Sequence, residues 1–403
     1  MTAITLAQLQ TEFAVSAGRR AAIAADFRAA MAAGLAGRPS PLKMLPSFLG
    51  RPTGRESGQY LALDFGGSNV RVQLVELHGD GRWSVRRQTV APLKDPAGRY
   101  DYTAAAATAD GLFDFLAGQI ALTVDKGADL RLGHTFSFPC RQLDGGHAVL
   151  LSWTKEIRTA GVEGREVTAL LTAALARRGL GRIRPCAIIN DTVGTLLAAA
   201  YTYPAADIAA ICGTGQNTCY YDAERAMIIN MESGNFDILP FTAYDAMIDA
   251  ASEKPALQRL EKMVAGRYLG EIARLLAADL DLAAGGQLTA HDLAGWLGDP
   301  AAPADMRAIA SLIVTRAASL VAASFLGVLG HSDPELTGQH TVAIDGSLYE
   351  KMPGYATALS AALAENLGDA AGRVSLRLVK DGSGVGAAIA AAIAGPSDGT
   401  GCR

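Results

Sequence analysis

The sequence predicts an α/β protein of two domains, built by internal duplication. Three observations carry this reading. The chain has 403 residues, 50% of them hydrophobic, which is more than one core usually spans and too apolar for a disordered or fibrous chain. A strand, a glycine turn and two further strands follow one another over residues 60–90, and the same plan recurs over 208–231. Helical rather than alternating periodicity fills most of the remaining sequence.

Taken in order, residues 1–55 open with Leu6, Leu9 and Phe13, then Ile23, Phe27 and Met31 at helical spacing, and end in a loop punctuated by Pro39, Pro41, Pro46 and Pro52. Residues 60–65 and 70–77 read as strands joined by Gly66-Gly67-Ser68-Asn69, a turn whose glycines permit positive φ. A third strand is expected over 83–90, and a helix over 102–122 with Leu112, Phe115, Leu116 and Ile120 on its apolar face. In the second copy, 208–211 and 218–221 flank the turn Cys212 to Asn217, and 226–231 is the third strand. Residues 246–330 are mainly helical, with Leu257, Leu260, Met263, Val264 and Leu269 as an example of the spacing. Two late strands, 341–344 and 376–379, run into Asp345-Gly346-Ser347 and Asp381-Gly382-Ser383-Gly384, and an alanine-rich helix closes the pattern. The division expected is a small domain of 56–189 plus about 380–395 and a large domain of 1–55 plus 190–379, joined by more than one chain crossing.

Composition excludes several classes. The formal charge of −4, from 36 basic and 40 acidic residues, argues against nucleic-acid binding through a basic face, so any bound anion needs a local cradle. The N-terminal residues lack a basic run ahead of their apolar ones, and Glu12 interrupts them, so no signal peptide is expected. The longest apolar run found, Ala317–Leu329, is too short to span a bilayer; the expectation is a cytoplasmic protein with no membrane partner. Five cysteines without a C-x-x-C indicate neither a disulfide framework nor a zinc knuckle, and His291 and the other histidines stand outside any metal-binding pattern.

The 44 glycines exceed the usual share of about 7%, and several fall where chemistry is expected. Asp64-Phe65-Gly66-Gly67-Ser68-Asn69-x-Arg71 and Gly213-Thr214-Gly215 lie at strand ends, where backbone N–H groups can surround phosphate oxygens; both also fit plain glycine hairpins. GTGQNT is not G-x-G-x-x-G and leads into a strand, and Gly-Lys occurs nowhere, which disfavours the dinucleotide and Walker-type turns. What remains is a polyphosphate clamp of two similar turns. Residues 187–200, AIINDTVGTLLAAA, place Asn190-Asp191-Thr192 between an apolar strand and an apolar helix. These residues suit a helix N-cap. They equally suit a general base, Asp191, taking the proton of a hydroxyl that attacks a γ-phosphoryl group while Asn190 orients it.

Nine runs together resemble the eukaryotic-type hexokinase family: PTGRESGQYLALDFGGSNVRV (52–72), LGHTFSFPC (132–140), SWTKEI (152–157) with AGVEGREV after it, IINDTVGTL (188–196), ICGTGQNTCY (211–220), INMESGNF (229–236), LEKMVAGRYLGEIARL (260–275), IDGSLY (344–349) and KDGSGVGAA (380–388). They cover most of the chain in the family's order. The resemblance implies a duplicated actin-like ATPase (ribonuclease H-like) fold with a central cleft, and transfer of the γ-phosphoryl of ATP to the 6-hydroxyl of glucose or a related hexose. It assigns sugar binding to Ser137, Thr154, Lys155, Asn190, Asp191, Asn217, Glu232 and Glu261, with Asp191 as base and Lys155 beside it in catalysis. It assigns nucleotide binding to Asp64, Gly66, Gly67, Ser68, Asn69, Arg71, Gly213, Thr214, Gly215, Gly346, Ser347 and Ser383, with Asp64 holding Mg²⁺ through water. Sugar should then draw the domains together and expel water.

The chain departs from the pattern at Ser68, where the family has Thr, and at Ser233 and Asn235, where it has Trp and Ala. Loss of the ring at 233 predicts a wider sugar pocket. Arg267 falls where the family varies. A sugar sensor without turnover, or an actin-like ATPase without a sugar pocket, are the other readings open to this sequence.

Overall fold

The computed structural model describes residues 4–154, 156–282 and 286–394. Its strands are β1 (Leu45–Pro46), β2 (Ser57–Phe65), β3 (Asn69–His78), β4 (Trp83–Pro92), β5 (Leu130–Phe136), β6 (Cys140–Gln142), β7 (Ala148–Leu150), β8 (Ile183–Ile189), β9 (Ala206–Cys212), β10 (Gln216–Asp222), β11 (Met227–Asn230), β12 (His340–Asp345) and β13 (Val374–Leu378). Its α-helices are α1 (Leu6–Phe13), α2 (Ala17–Leu35), α3 (Ala109–Thr123), α4 (Val167–Arg177), α5 (Asp191–Thr202), α6 (Ala243–Ala251), α7 (Arg259–Val264), α8 (Gly266–Asp279), α9 (Ala290–Gly298), α10 (Ala304–Ser332), α11 (Ser347–Lys351), α12 (Tyr355–Leu367) and α13 (Gly382–Ile393).

The chain divides into two compact units. The first takes in the chain up to Met44, Ile208–Tyr220 and Met231–Lys380; the second takes in Leu45–Asp207, Tyr221–Asn230 and the chain from Asp381. Residues 45–55, 190–207 and 221–230 thus sit with the first strand set, where the sequence reading gives them to the larger domain. The reason for 190–207 is packing. Helix α5 crosses α13 so closely that a Cβ on Gly386 would stand 2.0 Å from the Gly194 carbonyl oxygen, and α13 lies on the sheet of the second unit.

That sheet has the order β4-β3-β2-β5-β8, with β2–β3 and β3–β4 antiparallel and β2–β5 and β5–β8 parallel. Alternation decides its faces. Leu61, Leu63 and Phe65 of β2 and Val70, Val72 and Leu74 of β3 form one core with Leu112, Phe113, Leu116 and Ile120 of α3 and Leu171 and Leu175 of α4. Helix α13 packs close to β5, since a Cβ on Gly133 would stand 1.8 Å from the Ala387 carbonyl oxygen. Helix α3 begins at Ala109, later than the periodicity suggests, because Thr108 caps it by accepting the Gly111 N–H at 3.2 Å.

In the first unit, β9 and β10 pair antiparallel and β12 and β13 pair parallel, in the order β10-β9-β12-β13. Each unit therefore owns one copy of the strand–glycine turn–strand plan. The central helix α10 has 29 residues, against the 13-residue stretch Ala317–Leu329 that the apolar run marks. By length and composition it is long and apolar enough to cross a membrane, and 83% of its most apolar window is buried inside the protein. Arg316 interrupts the apolar pattern in sequence, yet its guanidinium is buried, bonded to both oxygens of Asp245 at 3.0 and 2.6 Å and seated over the Phe13 ring.

Candidate active site

The second unit collects Asp191, Asn190, Ser137 and, in another loop, Thr154. Strand β8 is buried over Ala187, Ile188 and Ile189 and delivers Asn190 to the start of α5. Asn190 is the N-cap, its Oδ1 accepting the Thr192 N–H at 2.9 Å. Asp191 is the first helical residue. Its Oδ1 accepts from the Thr192 N–H at 2.7 Å and the Thr192 hydroxyl at 3.2 Å, while its own N–H donates to Ser137 Oγ at 3.3 Å. Asn190 and the half-buried Asp191 carboxylate thus share the Thr192 N–H, the amide as N-cap and the carboxylate through Oδ1. Thr154 is half-buried, beside Trp153, whose indole N–H donates to the Thr159 carbonyl at 2.9 Å. Lys155 lies outside the described residues.

The β2–β3 turn of the same unit brings Asp64, Arg71 and Ser383 together. Ser383 Oγ donates to Asp64 Oδ2 at 3.0 Å, and Arg71 donates to Asp64 Oδ2 at 3.3 Å and to Asp381 Oδ1 at 2.6 Å. Burial pulls the Arg71 guanidinium down, but the hydrogen bond to Asp381 and the charges of Asp64 and Asp381 outweigh it and hold the group above its ordinary value. Thr135 Oγ1 donates to the Ser383 carbonyl at 2.7 Å, fixing the segment that leads into α13. Asp381 and Thr135 were absent from the sequence assignment. The signal for Asp381 was its place at a strand end before Gly-Ser-Gly, as Asp64 precedes Phe-Gly-Gly.

The turn itself differs from expectation. Gly66 has ordinary φ, and its N–H is committed to the Asn69 carbonyl at 3.2 Å; Ser68 and Asn69 are exposed. In the first unit, Gly213 and Gly215 are likewise ordinary, and positive φ falls on Gly346 at 121°. Glycine is required there by close approach as well. A Cβ on Gly346 would stand 2.5 Å from the Cys212 carbonyl, and one on Gly213 would stand 3.3 Å from Gly346 Cα. Gly213, Thr214, Gly215, Gly346 and Ser347 therefore form one glycine-lined group, whereas Ser383 belongs with Asp64. Gly213 and Thr214 turn their carbonyls to the N–H groups of Gly266 and Arg267 at 2.8 and 3.2 Å. The Arg267 guanidinium, exposed, bonds Glu253 at 3.0 Å.

Three expected sugar residues share a network in the first unit. Glu261 Oε2 accepts the Gln216 N–H at 2.9 Å. Asn217 Oδ1 accepts the N–H of Thr218 at 2.7 Å and of Ser233 at 3.2 Å. Glu232 is left-handed, φ 52°, and its carbonyl accepts both the backbone N–H and Nδ2 of Asn235 at 3.1 Å. Ser233, where the family has Trp, is fully buried, and its hydroxyl donates to Gln216 Oε1 at 3.2 Å. Gln216, which passes a further bond to Thr218 Oγ1 at 3.2 Å, was not singled out in sequence because it lies between two motif residues.

Among the described residues, no group of three or more His, Cys, Asp or Glu side chains is placed to hold a metal ion. Mg²⁺ does not demand one, since it keeps several waters and takes one or two carboxylates with substrate phosphates. The donor set of Asp64 with the Ser383 hydroxyl fits that habit.

Two family models, both described as hexokinase, match residues 5–201 and residues 207–294 with 298–393. The chain is 34% identical to Hexokinase-1 of Schizosaccharomyces pombe over 448 residues, covering 96% of this chain and 90% of that protein. It is 34% identical to Hexokinase-1 of Oryza sativa subsp. japonica, over 96% of this chain and 90% of that protein. Among solved structures, a hexokinase crystal structure matches with TM-score 0.86 and 33% identity over 96% of this chain and 98% of the other. The hexokinase from Schistosoma mansoni complexed with glucose matches with TM-score 0.77 and 30% identity over the same shares. A ROK hexokinase from Thermus thermophilus, 18% identical at TM-score 0.56 over 83% of this chain and 97% of that one, shares the fold. The fold is the α/β actin-like ATPase type, and the chain belongs to the hexokinase family.

Proposed function

We propose that this chain transfers the γ-phosphoryl group of ATP to the 6-hydroxyl of glucose or a related hexose, with Asp191 as general base. The observation that carries the reading is the arrangement at the start of α5: Asn190 is the N-cap, and the hydrogen bonds of the half-buried Asp191 side chain to Thr192 fall on Oδ1. Oδ2 then takes the hydroxyl proton as the sugar oxygen bonds to the γ-phosphorus and the bond from phosphorus to the β,γ-bridging oxygen breaks, with ADP leaving. Proton transfer of this kind contributes about 10²–10⁴-fold; orientation and charge neutralisation supply the rest.

Ser137, Thr154, Asn190, Asn217, Glu232 and Glu261, with Lys155, bond the sugar hydroxyls. Support for glucose comes from the Schistosoma mansoni relative, whose structure is described as complexed with it. The glycine turns with Arg71 hold the phosphates, and Gly346-Ser347 lie by the adenosine. Asp64 would hold Mg²⁺ through water, and the ion would supply neutralisation of the phosphate charge.

Incubating the protein with ATP, Mg²⁺ and a panel of glucose, mannose, fructose and glucosamine, and following ADP, tests the activity. ADP release with at least one sugar is expected; sugar binding without ADP would assign a sensor role. Asp191→Ala should keep measurable sugar binding and lose at least about 10²-fold in turnover. Near-normal turnover would reject Asp191 as base.

A further inference from the structure

We infer that Lys262, through its buried ion pair with Asp249, is the positioning residue that sets Glu261 for the sugar; this rests on the reading of Glu261 as a sugar ligand. Helix α7, which carries both, has six residues and no side-chain cap. A helix of that length has little stability of its own. It also starts from strained backbone, with Ala256 and Gln258 left-handed at φ 66° and 56°, a conformation unfavourable to residues with a Cβ. Something outside the helix must hold it.

Lys262 supplies that hold. Its side chain is 3% exposed, and a buried ammonium requires partners. Nζ donates to Asp249 Oδ1 at 2.5 Å and to the Lys254 carbonyl at 2.7 Å, while Asp249 Oδ2 accepts the N–H of left-handed Ala256 at 2.9 Å. One ion pair therefore joins the end of α6, the middle of the 252–258 loop and α7. Successive helical residues point roughly 100° apart, so anchoring Lys262 sets the direction of Glu261. Little slack exists on that side. Glu261 Oε2 meets the Gln216 N–H at 2.9 Å, and Glu261 Cβ lies 3.1 Å from where a Cβ on Gly234 would stand. Leu260 and Met263, both buried, anchor α7 by apolar contact, which is non-directional. Stability alone does not require the ion pair, because a buried pair is often replaceable by apolar groups at no loss.

The test compares Glu261→Gln, Lys262→Met, Asp249→Asn and the double variant Asp249→Asn/Lys262→Met in the full chain, reading Tm, kcat and KM for glucose and for ATP. Glu261→Gln should raise the glucose KM about tenfold or more, the size of one lost hydrogen bond to a polar ligand. Lys262→Met should lower Tm and raise the glucose KM by a similar factor, with the ATP KM within about twofold of the parent. The double variant, which removes the stranded charge, should recover Tm and keep the raised glucose KM. Recovery of glucose KM together with Tm, or a glucose KM unchanged in the double variant, overturns the positioning role. Should Lys262→Met fail to fold, Asp249→Asn and the double variant carry the same comparison. An unchanged glucose KM in Glu261→Gln overturns the sugar-ligand reading itself and the inference with it.

Discussion

Asn190 and Asp191 are adjacent, both oxygen acceptors and both good caps, and in the structure they share the Thr192 N–H: Asn190 is the N-cap, while Asp191, first in the helix, accepts through Oδ1, and the proposed proton transfer falls to Oδ2. The opposite case is His134 on β5. It is fully buried with neither ring nitrogen hydrogen-bonded, and burial pushes its pKa down from 6.5 to about 3. A group depressed in this way is neutral in the native state while the unfolded chain takes up the proton, so the unfolded state binds more protons below pH 6.5. The contribution of this group to stability therefore falls as pH falls from 6.5 towards about 3, by about 1.4 kcal/mol per pH unit inside that window. Denaturant titrations at pH 7 and pH 5 check it. The parent should lose more stability between those two values than His134→Leu does, and equal losses would remove His134 from the acid response.

At the scale of elements, glycine acts through contact between helices as much as through turns. Helix α13 reaches Asp64 and Arg71 through Asp381 and Ser383 only because Gly386, Gly194 and Gly133 let backbone meet backbone. Gly386→Ala would drive a Cβ to 2.0 Å from the Gly194 oxygen; the cost expected is about 1–3 kcal/mol or more, together with a higher KM for ATP because the Asp381–Ser383 segment moves. Gly295→Ala in α9, where a Cβ meets nothing within 4 Å, should be neutral or stabilising by up to about 1 kcal/mol. Urea unfolding and ATP kinetics of both variants check the contrast, and equal effects would show that helix crossing is not the constraint. The hairpins β2–β3 and β9–β10 were legible because alternation and a glycine turn are local signals. The full length of α10 was not, since Arg316 looks like an interruption until Asp245, 71 residues away, neutralises it. The same holds for the site. Its motif residues could be read in order along the chain, whereas Asp381 beside Arg71 and Ser233 under Gln216 depend on partners brought together by the fold.

For the molecule as a whole, the decisive fact is the ownership of the proposed sugar ligands. Ser137, Thr154, Asn190 and Asp191 belong to one compact unit, and Asn217, Glu232 and Glu261 to the other. A hexose that bonds both sets binds more tightly to whichever arrangement satisfies both, and that difference in affinity is what shifts a population of conformers. Glucose should therefore select a more closed state. In the proposed reaction water is a rival acceptor for the γ-phosphoryl group, and closure around the sugar would discriminate against it. Small-angle scattering of the parent should show a smaller radius of gyration with saturating glucose than without. Asp191→Ala, which removes the base and keeps the other ligands, should still respond. Truncating the first unit's ligands in Glu232→Ala/Glu261→Ala should abolish the response even where residual binding is saturated, and should raise ATP hydrolysis relative to sugar phosphorylation. An unchanged radius in the parent at saturating glucose would dismiss closure, and phosphoryl transfer would then have to exclude water by some other means.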